Sequence, residues 1–207
     1  VHHEENRMTF ARRLSLAAVL AAVAACSDSS GPSNRPPAEL NIVRTGSGAS
    51  FAETTLSFWA HADQDAEGRL FFAAPGGGDG AEFVRLRIPK GALLAAPDGT
   101  PFGPRDSVLV TMQITDPTQL AVVFQPSGLR FDPVIPAQLE MHYDNADDDF
   151  NGDGQVNGED TQIESTLAIW RQEQPSDPFV RLGSLLSIST KDCRSSLMGF
   201  TRYALAY

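Results

Sequence analysis

Seven acidic residues crowd into seventeen positions: Asp144, Asp147, Asp148, Asp149, Asp153, Glu159 and Asp160. Residues 149–160 read Asp-Phe-Asn-Gly-Asp-Gly-Gln-Val-Asn-Gly-Glu-Asp. Asp149, Asn151 and Asp153 stand at alternate positions, which turns their side-chain oxygens to one side of a tight loop. Gly154 follows where the chain must bend sharply, the backbone carbonyl of Gln155 comes next, and Asp160 closes the set at the twelfth position. Hard oxygens in this order fit Ca2+, which takes roughly six to eight of them. Val156, at the eighth position, is expected to tether the loop to a core. A register starting at Asp147 leaves Gly158 at the twelfth position and no apolar residue at the eighth, so the loop starts at Asp149. Two like charges about 4 Å apart repel by about 4 kcal/mol at an effective dielectric of about 20, and a bound cation relieves that. The expected ion is structural, because candidate strands flank the loop and no base or nucleophile neighbours it in sequence.

A second chemical signal lies near the start. Arg12 and Arg13 precede twelve uncharged residues, 14–25, which end in Val23-Ala24-Ala25-Cys26. A charged start and a short apolar run are the pattern of a signal peptide, and the run is too short to span a bilayer as a helix. The last four residues resemble a lipobox, the cleavage and acylation motif of bacterial lipoproteins. The resemblance implies a signal peptide over 1–25, with Met8 the expected start, and a diacylglycerol thioether on Cys26. Two or more acyl chains anchor stably, each buried methylene contributing about 0.8 kcal/mol. Ser27 directly after the lipid site points to the outer membrane. Residues 27–37 are rich in Ser and Pro, so residues 26–39 are expected to form a flexible tether.

The chain has 207 residues and a formal charge of −10. The first 25 residues carry one net positive charge, leaving −11 on the remainder. Such a surface repels phosphate backbones, which argues against nucleic acid as a partner. Cys26 and Cys193 are the two cysteines, so a disulfide framework is excluded if Cys26 carries lipid. Cys193, in the polar stretch Lys191-Asp192-Cys193-Arg194, is expected to be a partly exposed spare thiol.

The elements that must position the loop are strands. Val108, Val110, Met112 and Ile114 alternate with Leu109, Thr111, Gln113 and Thr115. Val84, Leu86 and Ile88 alternate with Phe83, Arg85 and Arg87, and Leu139, Met141 and Tyr143 with Gln138, Glu140 and His142. Period two with one apolar face predicts a strand in each case. Residues 56–61, 69–73, 120–125, 167–172, 179–182 and 200–206 are further candidates, and Gly- and Pro-rich turns separate them. One or two helical turns are expected over 161–165. The fold class is all-β: an antiparallel β-sandwich over residues 40–207 with an inserted calcium loop.

Two resemblances sharpen this. Ile88-Pro89-Lys90-Gly91-Ala92-Leu93 is similar to a stretch of ZU-five domains, as are residues 124–131 and the closing segment 199–206. The resemblance spans residues 83–207 and implies a β-sandwich of the protein-binding kind. Some ZU-five proteins cleave themselves at a His-Phe-Ser triplet; Gly199-Phe200-Thr201 stands there instead, and a hydroxyl without its activating base is inert. The acidic loop resembles that of dockerin modules, which also end in Asp. A dockerin has two such loops and a helix leading in, so only metal ligation is carried over.

No Gly-x-Ser-x-Gly, His-Glu-x-x-His or Cys-x-x-Cys motif occurs. His61 is expected in a hairpin turn and His142 exposed on the polar face of its strand. Trp59 and Trp170 are expected in the core. The leading expectation is a non-enzymatic, lipid-anchored envelope module that binds a protein or has a structural role. The alternatives are a carbohydrate-binding or adhesion module and a hydrolase with a dispersed site. The directions in which Trp59, Trp170, His61 and His142 point discriminate among the three.

Overall fold

The computed structural model describes residues 34–207. The signal peptide expected over 1–25 and the lipid site Cys26 lie outside the described residues.

In chain order the strands are β1 (Asn34–Arg35), β2 (Thr55–His61), β3 (Ala66–Ala73), β4 (Asp79–Ile88), β5 (Leu93–Ala95), β6 (Ser107–Gln113) and β7 (Ala121–Gln125). They continue with β8 (Arg130–Phe131), β9 (Ala137–His142), β10 (Ala168–Gln172), β11 (Phe179–Arg181), β12 (Ser184–Ser187), β13 (Asp192–Leu197) and β14 (Arg202–Ala206). One helix, α1 (Gly158–Glu164), lies between β9 and β10. A seven-stranded sheet runs β1-β11-β10-β14-β7-β6-β2, a five-stranded sheet runs β12-β13-β9-β4-β3, and β5 pairs with β8. Every pairing is antiparallel.

The expected sandwich is the observed architecture. Val84, Leu86, Leu139 and Met141 of the smaller sheet share one core with Val110, Met112, Val122, Phe124 and Tyr203 of the larger. These are the apolar positions of the alternating segments, so the period-two pattern selected the inward face. At one contact between the sheets a side chain does not fit. A Cβ on Gly68 of β3 would lie 2.3 Å from Cε1 of Phe58 on β2.

A second, smaller core lies on the outer side of the larger sheet. Ala168 and Trp170 of β10, Ala204 and Ala206 of β14, and Ala121 pack there with Leu40 and Phe179. Trp170 donates its indole N–H to the Ala206 carbonyl at 3.2 Å. The guanidinium of Arg35 lies 5.7 Å from its ring. Strands β10 and β14 are thus buried on both faces, which explains why they read as nearly unbroken apolar runs.

Three expectations change here. The tether expected over 26–39 does not reach its far end, because Asn34–Arg35 pair with β11 and Pro37–Glu39 form a 3-10 turn. Cys193 is fully buried in the main core, on a strand whose inward positions, Cys193, Ser195 and Leu197, hide the apolar alternation. Trp170 is buried as expected, but Trp59 is 58% exposed on the outward side of β2.

Candidate functional site

The acidic loop connects β9 to α1 and is built largely on its own carboxylates. One Asp149 oxygen accepts the backbone N–H of Gly152 at 2.8 Å and of Asp153 at 3.0 Å; the other accepts that of Gly154 at 2.8 Å. Asn151 Oδ1 accepts from Asp153 N at 2.9 Å, and Asp153 Oδ1 from Gln155 N at 2.8 Å. Three amides can converge on one carboxylate only if the chain coils tightly, and Gly152 and Gly154 supply this with φ of 77° and 83°. The side-chain amide of Asn151 lies 3.4 Å from both Asp153 Oδ2 and Glu159 Oε2.

Asp160, the residue expected to close the loop, is buried. Its carboxylate accepts from Asn157 N at 2.9 Å and from Asn151 N at 3.2 Å. With Asn157 as the N-cap, the first of these completes a capping box at the start of α1. The backbone N–H of Asn157, helped by those of Asn151 and Phe150, holds the Asp160 carboxyl below the usual carboxylate range. Helix α1 begins three residues before the turns expected at 161, because this cap draws Gly158 and Glu159 into its first turn.

Val156 does not tether the loop; it is 70% exposed. Phe150 at the second position does so instead. It is buried in the main core and meets the Tyr207 ring edge-on at 6.4 Å, while the Tyr207 hydroxyl donates to its carbonyl. Arg44 donates to the Asp149 carbonyl at 2.9 Å and pairs with Asp147 at 3.4 Å, and Lys191 pairs with Asp148 at 2.9 Å. Part of the acidic crowding is therefore met by these two cations.

The loop carries the donor types for a hard cation in the expected order, Asp149, Asn151 and Asp153 accept from the loop's own backbone amides, and each carboxylate keeps lone pairs beyond those its amides use. Among the described residues, no three His, Cys, Asp or Glu side chains gather into a metal-holding group. The residues thus fit calcium in kind and sequence, while their carboxylates are spread along the loop.

The remaining chemical residues stand elsewhere. His61 ends β2 in the larger sheet and His142 ends β9 in the smaller. His142 is not exposed as expected: its Nε2 lies 3.3 Å from both Glu82 Oε1 and Glu140 Oε1. These carboxylates face Arg85 at 3.0 Å and Arg194 at 2.9 Å, respectively. Beside them a groove of about 510 Å³ is lined in part by Glu67, Arg85, Arg87, Glu140 and Arg194, and each of these arginines already faces a carboxylate. Sequence reading missed this network because its members come from four strands. Burial pushes the Cys193 thiol up to about 11. Thr201 is buried with its hydroxyl directed at the carbonyls of Gln172 and Glu173.

No protein-family model, curated protein or solved structure matches this chain. Among the described residues, no helix is long and apolar enough to cross a membrane.

Proposed function

We propose that this chain is a non-catalytic binding or structural module of the cell envelope, tethered through lipid on Cys26 and held in shape by one calcium ion. The lipid anchor rests on the lipobox-like end of the leader. The calcium reading rests on loop 149–160, whose Asp149, Asn151 and Asp153 oxygens are oriented by backbone amides around two left-handed glycines. Asp149, Asn151, Asp153, the Gln155 carbonyl and Asp160 would hold the ion. Its contribution is electrostatic, offsetting the charge of a segment with seven acids. A role for the ion in stability rather than reaction is supported by what borders the loop: the aromatic pair Phe150 and Tyr207, and the helix cap at Asp160. The binding-module reading over a hydrolase is supported by the separation of His61 and His142 on two sheets and by the burial of Cys193 and Thr201.

Calcium tests this directly. A ligand at about a hundredfold excess over its Kd stabilises by about 2.7 kcal/mol, or about 5–10 °C in Tm for a domain of this size. Calcium should raise the Tm on that scale, and Asp153→Ala should remove the gain. Superimposable melting curves in calcium and in chelator would defeat the calcium reading. Fatty-acid labelling that persists in Cys26→Ser would defeat the anchor.

A further inference from the structure

The outer face of the seven-stranded sheet is divided. Over β10, β14 and β11 the chain covers it with Arg35 and Leu40. Over β6 and β2 an indole stands open: Trp59, on the edge strand, lies opposite Leu109 in register. The neighbouring outward pair is Ser57 and Thr111, whose hydroxyls meet at 2.8 Å. Gln125 lies opposite Thr111 on the next strand, and Gln113 ends β6. No outward position of β2 or β6 is Asp, Glu, Lys or Arg, in a chain with a net charge of −10.

This inventory selects an occupant. One indole and one leucine are far less than the roughly 800 Å² that each partner buries in a stable protein interface. The groups around the indole are polar but uncharged, so the charged side chains that commonly edge such an interface are missing from these two strands. A hexose ring has complementary chemistry. Its C–H face packs on an indole, and its equatorial hydroxyls need neighbours that both donate and accept, as serine, threonine and glutamine do. The absence of charge favours an uncharged ligand. We propose that the Trp59 face binds a neutral glycan chain, with Trp59 as the stacking platform and Ser57, Thr111, Gln113 and Gln125 as hydrogen-bonding partners. This proposal rests on the binding-module reading and gives that module its ligand class.

The test is titration of the full chain with cellohexaose, laminarihexaose and, as an anionic comparator, hexagalacturonate. Binding is followed by calorimetry and by indole emission, in which exposed Trp59 responds and buried Trp170 does not. At least one neutral hexasaccharide should bind and shift the emission to the blue, and the uronate should bind more weakly. Trp59→Ala should weaken binding at least about tenfold, the loss expected when an indole's apolar contact is removed. Trp59→Phe should retain part of the affinity, and both variants should melt with the parent. Ser57→Ala, which keeps the platform, should weaken binding by a smaller factor. Three results would overturn the proposal: no response to either neutral sugar at millimolar concentration, equal binding by Trp59→Ala, or an indole that acrylamide cannot reach in the free chain. The third would mean that another segment or a second copy covers the face. Loss of glycan binding with the calcium-dependent Tm intact removes the ligand assignment alone; loss of both removes the module reading with it.

Discussion

Replacing Gly68 by alanine probes a tight contact between the two sheets. The added Cβ would lie 2.3 Å from Phe58 Cε1 and 2.8 Å from both Phe58 Cδ1 and Met112 Sδ, so the neighbours must move. Phe58 is anchored on β2, which pairs with β6 along its whole length, and Met112 is fully buried. Overpacking of this kind costs about 1–3 kcal/mol. Part of the cost is offset by about 0.5–1 kcal/mol, because alanine restricts the unfolded chain and the residue does not occupy the left-handed region. The net destabilisation lies between about 0 and 2.5 kcal/mol, centred on about 1 kcal/mol, or about 2–4 °C in Tm. Circular-dichroism melting would measure it, with Gly183→Ala as the control, since a Cβ there meets nothing within 4 Å. The double variant Phe58→Leu with Gly68→Ala should recover more stability than the two single changes predict by addition. A Gly68→Ala chain that melts at or above the parent would refute this account of the sheet contact, and with it the account of how β2 is seated.

Two further predictions concern titrating groups. Cys193 is buried and its thiol is pushed up to about 11, so it should resist a thiol reagent at pH 8 in the folded protein and react at once in denaturant. Asp160 has a folded-state pKa below its unfolded value, so its contribution to stability is present above the unfolded pKa. That contribution is lost as the pH falls through the folded one. The Tm of the parent should therefore fall more steeply below about pH 4 than that of Asp160→Asn, as scanning calorimetry across acidic buffers would show.

How much of this was legible depended on whether side-chain polarity tracked burial. In β9 it did, and in β4 and β6 it did except at Phe83, which is buried beside Val84 out of phase, and at Leu109, which is apolar yet exposed. In β13 it did not, because Asp192 and Ser195 are buried polar residues satisfied by Arg194 at 3.0 Å and by the Gly183 carbonyl at 3.0 Å. Short strands such as β5 and β8 owe their existence to a partner distant in sequence, and no local pattern marks them. Trp59 stands outside the core expected for an indole because Leu56, Phe58 and Ala60 already claim the inward face of that strand. In the acidic loop, the order of oxygen-bearing residues was readable, as was the need for glycine at position 154. The anchor was not: position eight is a poor guide when Phe150, six residues earlier, finds Tyr207 from the far end of the chain. Glu140 and His142 share one face of β9 in the sequence, but their meeting with Glu82 had no sequence signal, since the register of β9 against β4 brings it there.

The order of the larger sheet bears on when this protein can fold. Strand β14 comes last in the chain but fourth of seven in space, between β10 and β7. Until residues 202–206 have been synthesised, β7-β6-β2 and β1-β11-β10 have no strand hydrogen-bonded between them, and each has an unfilled edge. A nascent chain emerging from the ribosome thus has no route to the finished sandwich. The strand that completes the larger sheet is therefore the last one to become available to it.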